Sequence, residues 1–219
     1  RLPANTSGRD FVTGDIHGCF DRLRALMDGA GFHPERDRLL TPGDLVDRGP
    51  DSLAALEWLD KPWFFATRGN HDQMAVNFAK GHNHPFHYER NGGRWFIDLA
   101  DEDQQRVAAR LAALPRAIEF RCHGTRYGMV HAEVPRDDWE AIEDPRPKAD
   151  HAALWERQRI DHADHAHVAN IDVVLVGHTP VQAPFQRLGN VVYLDTGAVF
   201  GRPMSLVCLS TGQFWQDQV

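Results

Sequence analysis

The stretch "DFVTGDIHGCFDRLRALMDGAGF" (residues 10–32) changes its period halfway along. Residues 10–15 read as a short strand that stops at Gly14, and 21–32 set Leu23, Leu26 and Met27 at helical spacing ahead of a glycine stop. Strand, polar loop and helix in that order open a βαβ unit. The unit recurs at once, because "RLLTPGD" (38–44) precedes "DSLAALEWLD" (51–60), where Leu53, Leu56 and Leu59 share a face and Ser52 is placed to cap the helix. A third copy follows in "WFFATRGNHD" (63–72) and "QMAVNFA" (73–79). Three strands alternating with helices imply crossover connections and largely parallel pairing.

Downstream the pattern loosens. Residues 80–100 are polar, glycine-bearing and irregular, and long insertions of that kind in compact domains are often functional. A helix is expected over 101–114, with Asp101 as its cap and Pro115 as its stop. "AIEFRC" (117–122) and "RYGMVHA" (126–132) read as a hairpin, and "DVVLVGH" (172–178), "VVYLD" (191–195) and "MSLVCLS" (204–210) as later strands. The second half is therefore expected to be mainly β with antiparallel neighbours. Nothing resembles an interdomain linker, so residues 1–219 read as a single α/β domain, bordering on α+β, that can bury a substantial core.

Composition bounds the partners. With 42% hydrophobic residues and no long apolar run, the chain has no stretch suited to a membrane span, and its start lacks the layout of a secretory signal. A cytoplasmic protein is the expectation. Cys19, Cys122 and Cys208 are odd in number and far apart, which argues against a disulfide framework and for reduced, buried thiols. A net charge of -7 without a basic block speaks against an extended nucleic-acid surface, although a small cationic pocket is compatible with it.

The chemistry collects at strand ends. "GDIHG" (14–18), "GDLVDRG" (43–49) and "GNHD" (69–72) each follow a strand, and later strands deliver His131 and His178, the latter in "GHTP". Ligands of an α/β sheet gather outside the carboxyl ends of its parallel strands, so these loops should meet. Asp15, His17, Asp44, Asn70, His131 and His178 form a mixed nitrogen and oxygen donor set without thiolate, which suits Mn, Fe or Zn better than a closed structural zinc. Six candidate ligands exceed what one catalytic ion takes, and two ions sharing a carboxylate is the economical solution. Paired ions bind a phosphoryl group and generate a hydroxide for in-line attack. Two divalent cations against two carboxylates leave a positive remainder that favours phosphate esters. Asp44 is then the bridging ligand, Arg48 reaches phosphate oxygens with its planar fork, and Asp47 orients His71, the candidate proton donor to the departing oxygen.

Taken together with "FATRGNHDQM", "NGGRWF", "LWERQRI", "VGHTP" and "YLDTGAVFG", these motifs resemble the phosphoprotein phosphatase family of metallophosphoesterases, in its phage-lambda-type and bacterial branch, over nearly the whole chain. The resemblance implies a central β-sandwich of mixed sheets flanked by helices. It implies a first metal on Asp15, His17 and Asp44 and a second on Asp44, Asn70, His131 and His178. It also implies His71 and Asp47 as acid and partner, phosphate-binding Arg48, Arg68 and Arg157, Mn(II) as the metal favoured in the test tube, and phosphoserine, phosphothreonine and phosphotyrosine in phosphoproteins or phosphopeptides as substrates. One position departs from it: most protein phosphatases of the family read "GNHE", and Asp72 resembles the form in related diadenosine tetraphosphate hydrolases. Those hydrolases typically carry a small residue where this chain has Asp47, and Asp47, Arg68 and "WERQRI" match the protein phosphatase branch. Asp72 itself is read as a group that fixes the loop. A dinucleoside polyphosphate hydrolase is the alternative function, ahead of a non-catalytic phosphate-binding module and a nuclease. Trp155 is read as packing, "HADHAH" (162–167) as a solvated tract, "HNHPFH" (82–87) as a surface loop, and "NGGRWF" as the anchor of the 80–100 insertion beside the pocket.

Overall fold

A computed structural model describes residues 1–218 as two five-stranded sheets packed face to face. In the first, β1 (Asp10–Thr13), β2 (Arg38–Thr41) and β3 (Phe64–Ala66) pair in parallel through the helices α1 (Phe20–Gly29) and α2 (Ala54–Leu59). The second contains β4 (Ala117–Cys122), β5 (Thr125–Val130), β6 (Val173–Val176), β7 (Arg187–Leu188) and β8 (Val191–Tyr193) in the order β4-β5-β6-β8-β7. The first sheet is completed by β9 (Ser205–Cys208), antiparallel to β1, and β10 (Phe214–Gln216) outside it.

Strand alternation sorts the apolar residues into three layers. Phe11, Leu39 and Leu206 face the helices of the first sheet. Their neighbours Val12, Leu40 and Val207 turn inward to meet Phe120, Met129 and Leu175 of the second sheet. Val130, Val174 and Val176 point out the far side, against Trp139 and Ala153. Strands buried on both faces read as continuous apolar runs, which is why "VVLV" does not alternate. Each such aliphatic side chain, fully buried, contributes about 2 kcal/mol.

Several expectations need correction. The antiparallel expectation for the second half holds for the β4–β5, β7–β8, β1–β9 and β9–β10 pairs but fails at the centre of the second sheet, where β6 pairs parallel with both β5 and β8. An apolar run fixes period but not direction, and the long connection from β5 to β6 holds α7 (Pro147–Trp155) and α8 (Gln158–Asp161), as a crossover requires. Ser52 does not cap α2; its Oγ accepts the amide of Asp47, while Asp51 Oδ1 takes the amide of Ala54. The third helix, α3 (Asn70–Ala79), begins three residues before the expected 73–79 segment. Nor is 80–100 irregular, since it forms α4 (Pro85–Arg90) and α5 (Arg94–Ile97). Asp101 is the first residue of α6 (Asp101–Ala112), behind Ala100, where with Glu102 and Asp103 it complements the helix dipole.

Trp155, read as packing, is exposed instead, whereas two other readings hold. All three cysteines are buried free thiols, and the 162–167 tract is exposed. Among the described residues no helix is long and apolar enough to cross a membrane.

Candidate dinuclear metal centre

The carboxyl ends of β1, β2, β3, β5 and β6 converge at one rim of the sandwich, and the loops beyond them carry the predicted ligands. Asp15, His17, Asp44, Asn70, His71, His131 and His178 are all buried there. Ligand atoms of Asp15, Asp44 and His131 lie within 4.8 Å of one another, as do those of His17, Asp44 and His71, so Asp44 belongs to both groups. That shared position agrees with a bridging carboxylate.

The loops are bent hard to achieve this. His17, Asp44, Asp47, Arg48 and His178 all sit in the left-handed region, with φ of 45°, 50°, 71°, 67° and 65°. Side-chain-bearing residues adopt that region at a cost, and clusters of them mark functional sites. Close approach also explains two glycines: a Cβ on Gly69 would strike the Asp44 carboxylate, and one on Gly177 that of Asp15.

The hydrogen bonds set the direction of every imidazole. His17 Nδ1 donates to the Val46 carbonyl at 2.8 Å, which leaves Nε2 a lone pair 3.5 Å from Asp44 Oδ2. Nδ1 of His131 donates to the Pro42 carbonyl at 3.1 Å, and its Nε2 lone pair meets Asn70 Oδ1 at 2.8 Å and Asp44 Oδ1 at 3.5 Å. In His178 it is Nε2 that donates, to the Trp155 carbonyl at 3.2 Å, so that Nδ1 faces the same Asn70 oxygen at 3.0 Å. The lone pairs of His131 Nε2, His178 Nδ1 and Asn70 Oδ1 thus converge with no proton to share, an arrangement that a cation satisfies.

Electrostatics points the same way. Burial pushes His17 down to about 4 and His178 to about 3, and lowers His131, so all three are neutral and free to ligate. Burial opposes the charge of Asp44, yet the neighbouring imidazoles of His131, His71 and His17 outweigh it and hold the carboxyl below its ordinary range. Asp15 is pushed well up by burial and by Asp195 and Asp44, and burial raises Asp195 to about 6. Such a crowd of buried carboxyl groups calls for positive charge. Geometry, lone pairs and charge all fit two divalent ions.

Asp72 holds the second loop, as read from sequence: its Oδ2 accepts the amides of Asp44 (3.0 Å) and Gly69 (2.8 Å) and its Oδ1 that of Leu45 (3.0 Å). An amide at this position can accept with only one of those atoms. Asp72→Asn should therefore lower unfolding stability by about 1–3 kcal/mol, measured as a shift in urea midpoint at constant slope. An unchanged midpoint would show that the three bonds carry no net stability.

The arginines divide. Arg48 lies at the rim, its Nη1 3.2 Å from His17 Nε2 and its guanidinium 5.4 Å from the ring centroid of Phe200. Arg157 also lies there, exposed, with Nη2 donating to the His178 carbonyl at 3.5 Å; it stands between α7 and α8 rather than on a helix face. Arg68 stands apart. Its Nη1 donates to the Ala112 carbonyl at 3.3 Å, at the end of α6, and its Nε is buried without a partner, so its hydrogen bonds do not go to the ligand cluster.

The contact expected between His71 and Asp47 is formed directly: His71 Nδ1 donates to Asp47 Oδ2 at 2.9 Å, with both side chains buried. Sequence reasoning missed what holds Asp47 in turn. Tyr88 and Trp95, from the 80–100 segment, reach its other oxygen; the only signal was the aromatic in "NGGRWF".

Two sheets whose parallel strand ends deliver such a cluster define a metal-dependent phosphoesterase. The chain belongs to the calcineurin-like phosphoesterase family, whose model matches residues 11–182, and that family works with a dinuclear metal centre. The chain is 36% identical to serine/threonine-protein phosphatase 1 of Salmonella typhimurium over 94% of each chain. It is also 34% identical to a symmetrical bis(5'-nucleosyl)-tetraphosphatase of Methylococcus capsulatus, over 57% of this chain and 43% of that one. A solved structure described as a candidate diadenosine tetraphosphatase shares the fold, with a TM-score of 0.69 at 22% identity, covering 99% of this chain and 96% of the other.

Proposed function

We propose that the chain is a phosphomonoesterase acting on phosphoserine and phosphothreonine, and also phosphotyrosine, in proteins or peptides. The observation that carries this reading is the buried Asp47–His71 pair. With Nδ1 committed to Asp47, Nε2 is the ring nitrogen of His71 from which its imidazolium form would deliver a proton, at the edge of the ligand cluster. A proton donor there matches an ester whose leaving group is an alkoxide, as serine and threonine are.

Asp15, His17 and Asp44 would hold the first ion and Asp44, Asn70, His131 and His178 the second. The pair, taken as Mn(II), would neutralise phosphoryl charge and supply an activated water. The protein does the rest. Arg48 and Arg157 bind phosphoryl oxygens at the rim and orient the ester with its leaving oxygen toward His71. As the P–O bond breaks, the Nε2 proton passes to that oxygen, and Asp47 stabilises the imidazole throughout. Arg68 is left out of this step because its one side-chain hydrogen bond goes to the Ala112 carbonyl rather than to the ligand cluster.

A second reading, hydrolysis of dinucleoside polyphosphates, is favoured by Asp72 and by the tetraphosphatase relative. The extent of the match to the phosphatase relative, nearly the whole of both chains, supports the first. Initial rates on a phosphoserine peptide and on diadenosine tetraphosphate, at equal concentration with metal-stripped enzyme and added Mn(II), separate them. Faster, Mn-dependent peptide turnover is expected; preference for the dinucleotide would reverse the assignment.

A further inference from the structure

Three side-chain donors end on one buried carboxylate. Asp47 Oδ2 takes His71 Nδ1 at 2.9 Å, and Asp47 Oδ1 takes both the Tyr88 hydroxyl at 3.0 Å and Trp95 Nε1 at 2.7 Å. Asp47 is fully buried, so its charge has to be met by protein donors. Tyr88 is buried in an aromatic stack, with ring centroids 5.3 Å from Phe78 and 6.0 Å from Phe96. Phenylalanine would pack equally well there. The hydroxyl matters because of where it points, and burial together with the Asp47 charge holds the phenol above its ordinary range, so it stays a donor.

The backbone fixes the same geometry. Gly92, with φ of 93°, accepts the Arg48 amide at 3.3 Å, and Gly93 lies so close to the Tyr88 ring that a Cβ would collide with it. The 85–97 segment is thereby clamped onto the loop that carries Asp47.

We infer that Tyr88 and Trp95 are positioning residues for the proton-transfer step, acting through Asp47 on His71. With Oδ1 held by two donors, the carboxylate cannot turn, and Oδ2 stays aimed at Nδ1. His71 is then fixed in one orientation, with Nε2 directed at the leaving oxygen so that the imidazolium form delivers its proton there. Loss of both donors leaves Asp47 free to rotate or to seek other partners, and the imidazole loosens with it. Neither residue belongs to the two groups of candidate ligands. This inference rests on the phosphomonoesterase reading with His71 as acid.

The test is a cycle on the Mn(II)-loaded enzyme with Tyr88→Phe, Trp95→Phe, the double variant, His71→Asn and the triple variant. The substrates are p-nitrophenyl phosphate, whose leaving group needs no proton, and a phosphoserine peptide, whose leaving group does. The double variant is expected to lose about tenfold or more in kcat on the peptide, and several-fold less on the nitrophenyl ester, with KM little changed. In the His71→Asn background the same two changes should have no further effect. Equal losses on both substrates, or the same loss with and without His71, would overturn the inference and mark a merely structural role. If His71→Asn itself shows no dependence on the leaving group, the phosphomonoesterase mechanism fails first and the inference falls with it. Thermal midpoints of the single variants, each keeping its aromatic ring, guard against loss of folding.

Discussion

Asp44→Asn should cut turnover to less than about one thousandth of the wild-type rate, on any phosphate ester the enzyme accepts. Both oxygens of Asp44 are in use: Oδ1 accepts the His71 amide at 2.8 Å and lies 3.5 Å from His131 Nε2, and Oδ2 lies 3.5 Å from His17 Nε2. An amide has nearly the same shape but carries no charge, and its nitrogen would present protons to one of those imidazoles. It cannot bridge two cations. Metal content measured on the purified variant should fall together with the rate, while the fold, which does not depend on this group for its apolar layers, persists in circular dichroism. A variant that kept its metal and more than a tenth of its rate would sink the bridging assignment.

His71→Asn is expected to behave differently. It should lower kcat on a phosphoserine peptide by about 100- to 10,000-fold with metal content intact and KM nearly unchanged, because the lost group acts on the leaving oxygen. Ligand atoms of His71 do approach those of His17 and Asp44 within 4.8 Å, so a role as ligand is the competing account. The two are told apart by the metal: depletion in this variant would make His71 a ligand, and retention with a slow chemical step makes it the acid. Its hydrogen bond to Asp47, made through Nδ1, belongs to the second account.

What could be read from the sequence follows from how each feature is encoded. Asp15, His17, Asp44, Asn70, His131 and His178 each stand one to four residues past a short apolar strand, so strand periodicity located the candidate ligands and the topology of parallel strands brought them together. The helix caps assigned to Ser52 and Asp101 failed because both side chains are good caps in isolation, and only the tertiary contact to the Asp47 amide, or the position of Ala100, decides otherwise. Strand direction in the second sheet was illegible for a related reason: valine runs specify burial, and the chirality of the connection specifies direction. Tyr88 and Trp95 were hidden most completely. They lie on helices of six and four residues, too short to show a period, and their meaning depends on an atom some forty positions away in sequence. Arg68 shows the converse, a residue whose neighbours in sequence suggest the site while its side chain serves the end of another helix.

The pairing of β1 has a consequence for biosynthesis. This strand lies at the middle of its sheet, with Val12 opposite Leu40 on one side and Val207 on the other. On the ribosome, the first partner emerges early, and the second only after almost every other element has been made. Until then β1 is an open edge, with unsatisfied amides next to the loop that holds Asp15 and His17. His178, held by its amide to Asp15 at 3.1 Å, also arrives late. A nascent chain thus carries half of the candidate ligand set beside an unpaired strand, and completion of that set and protection of the strand edge both wait on segments that follow β5.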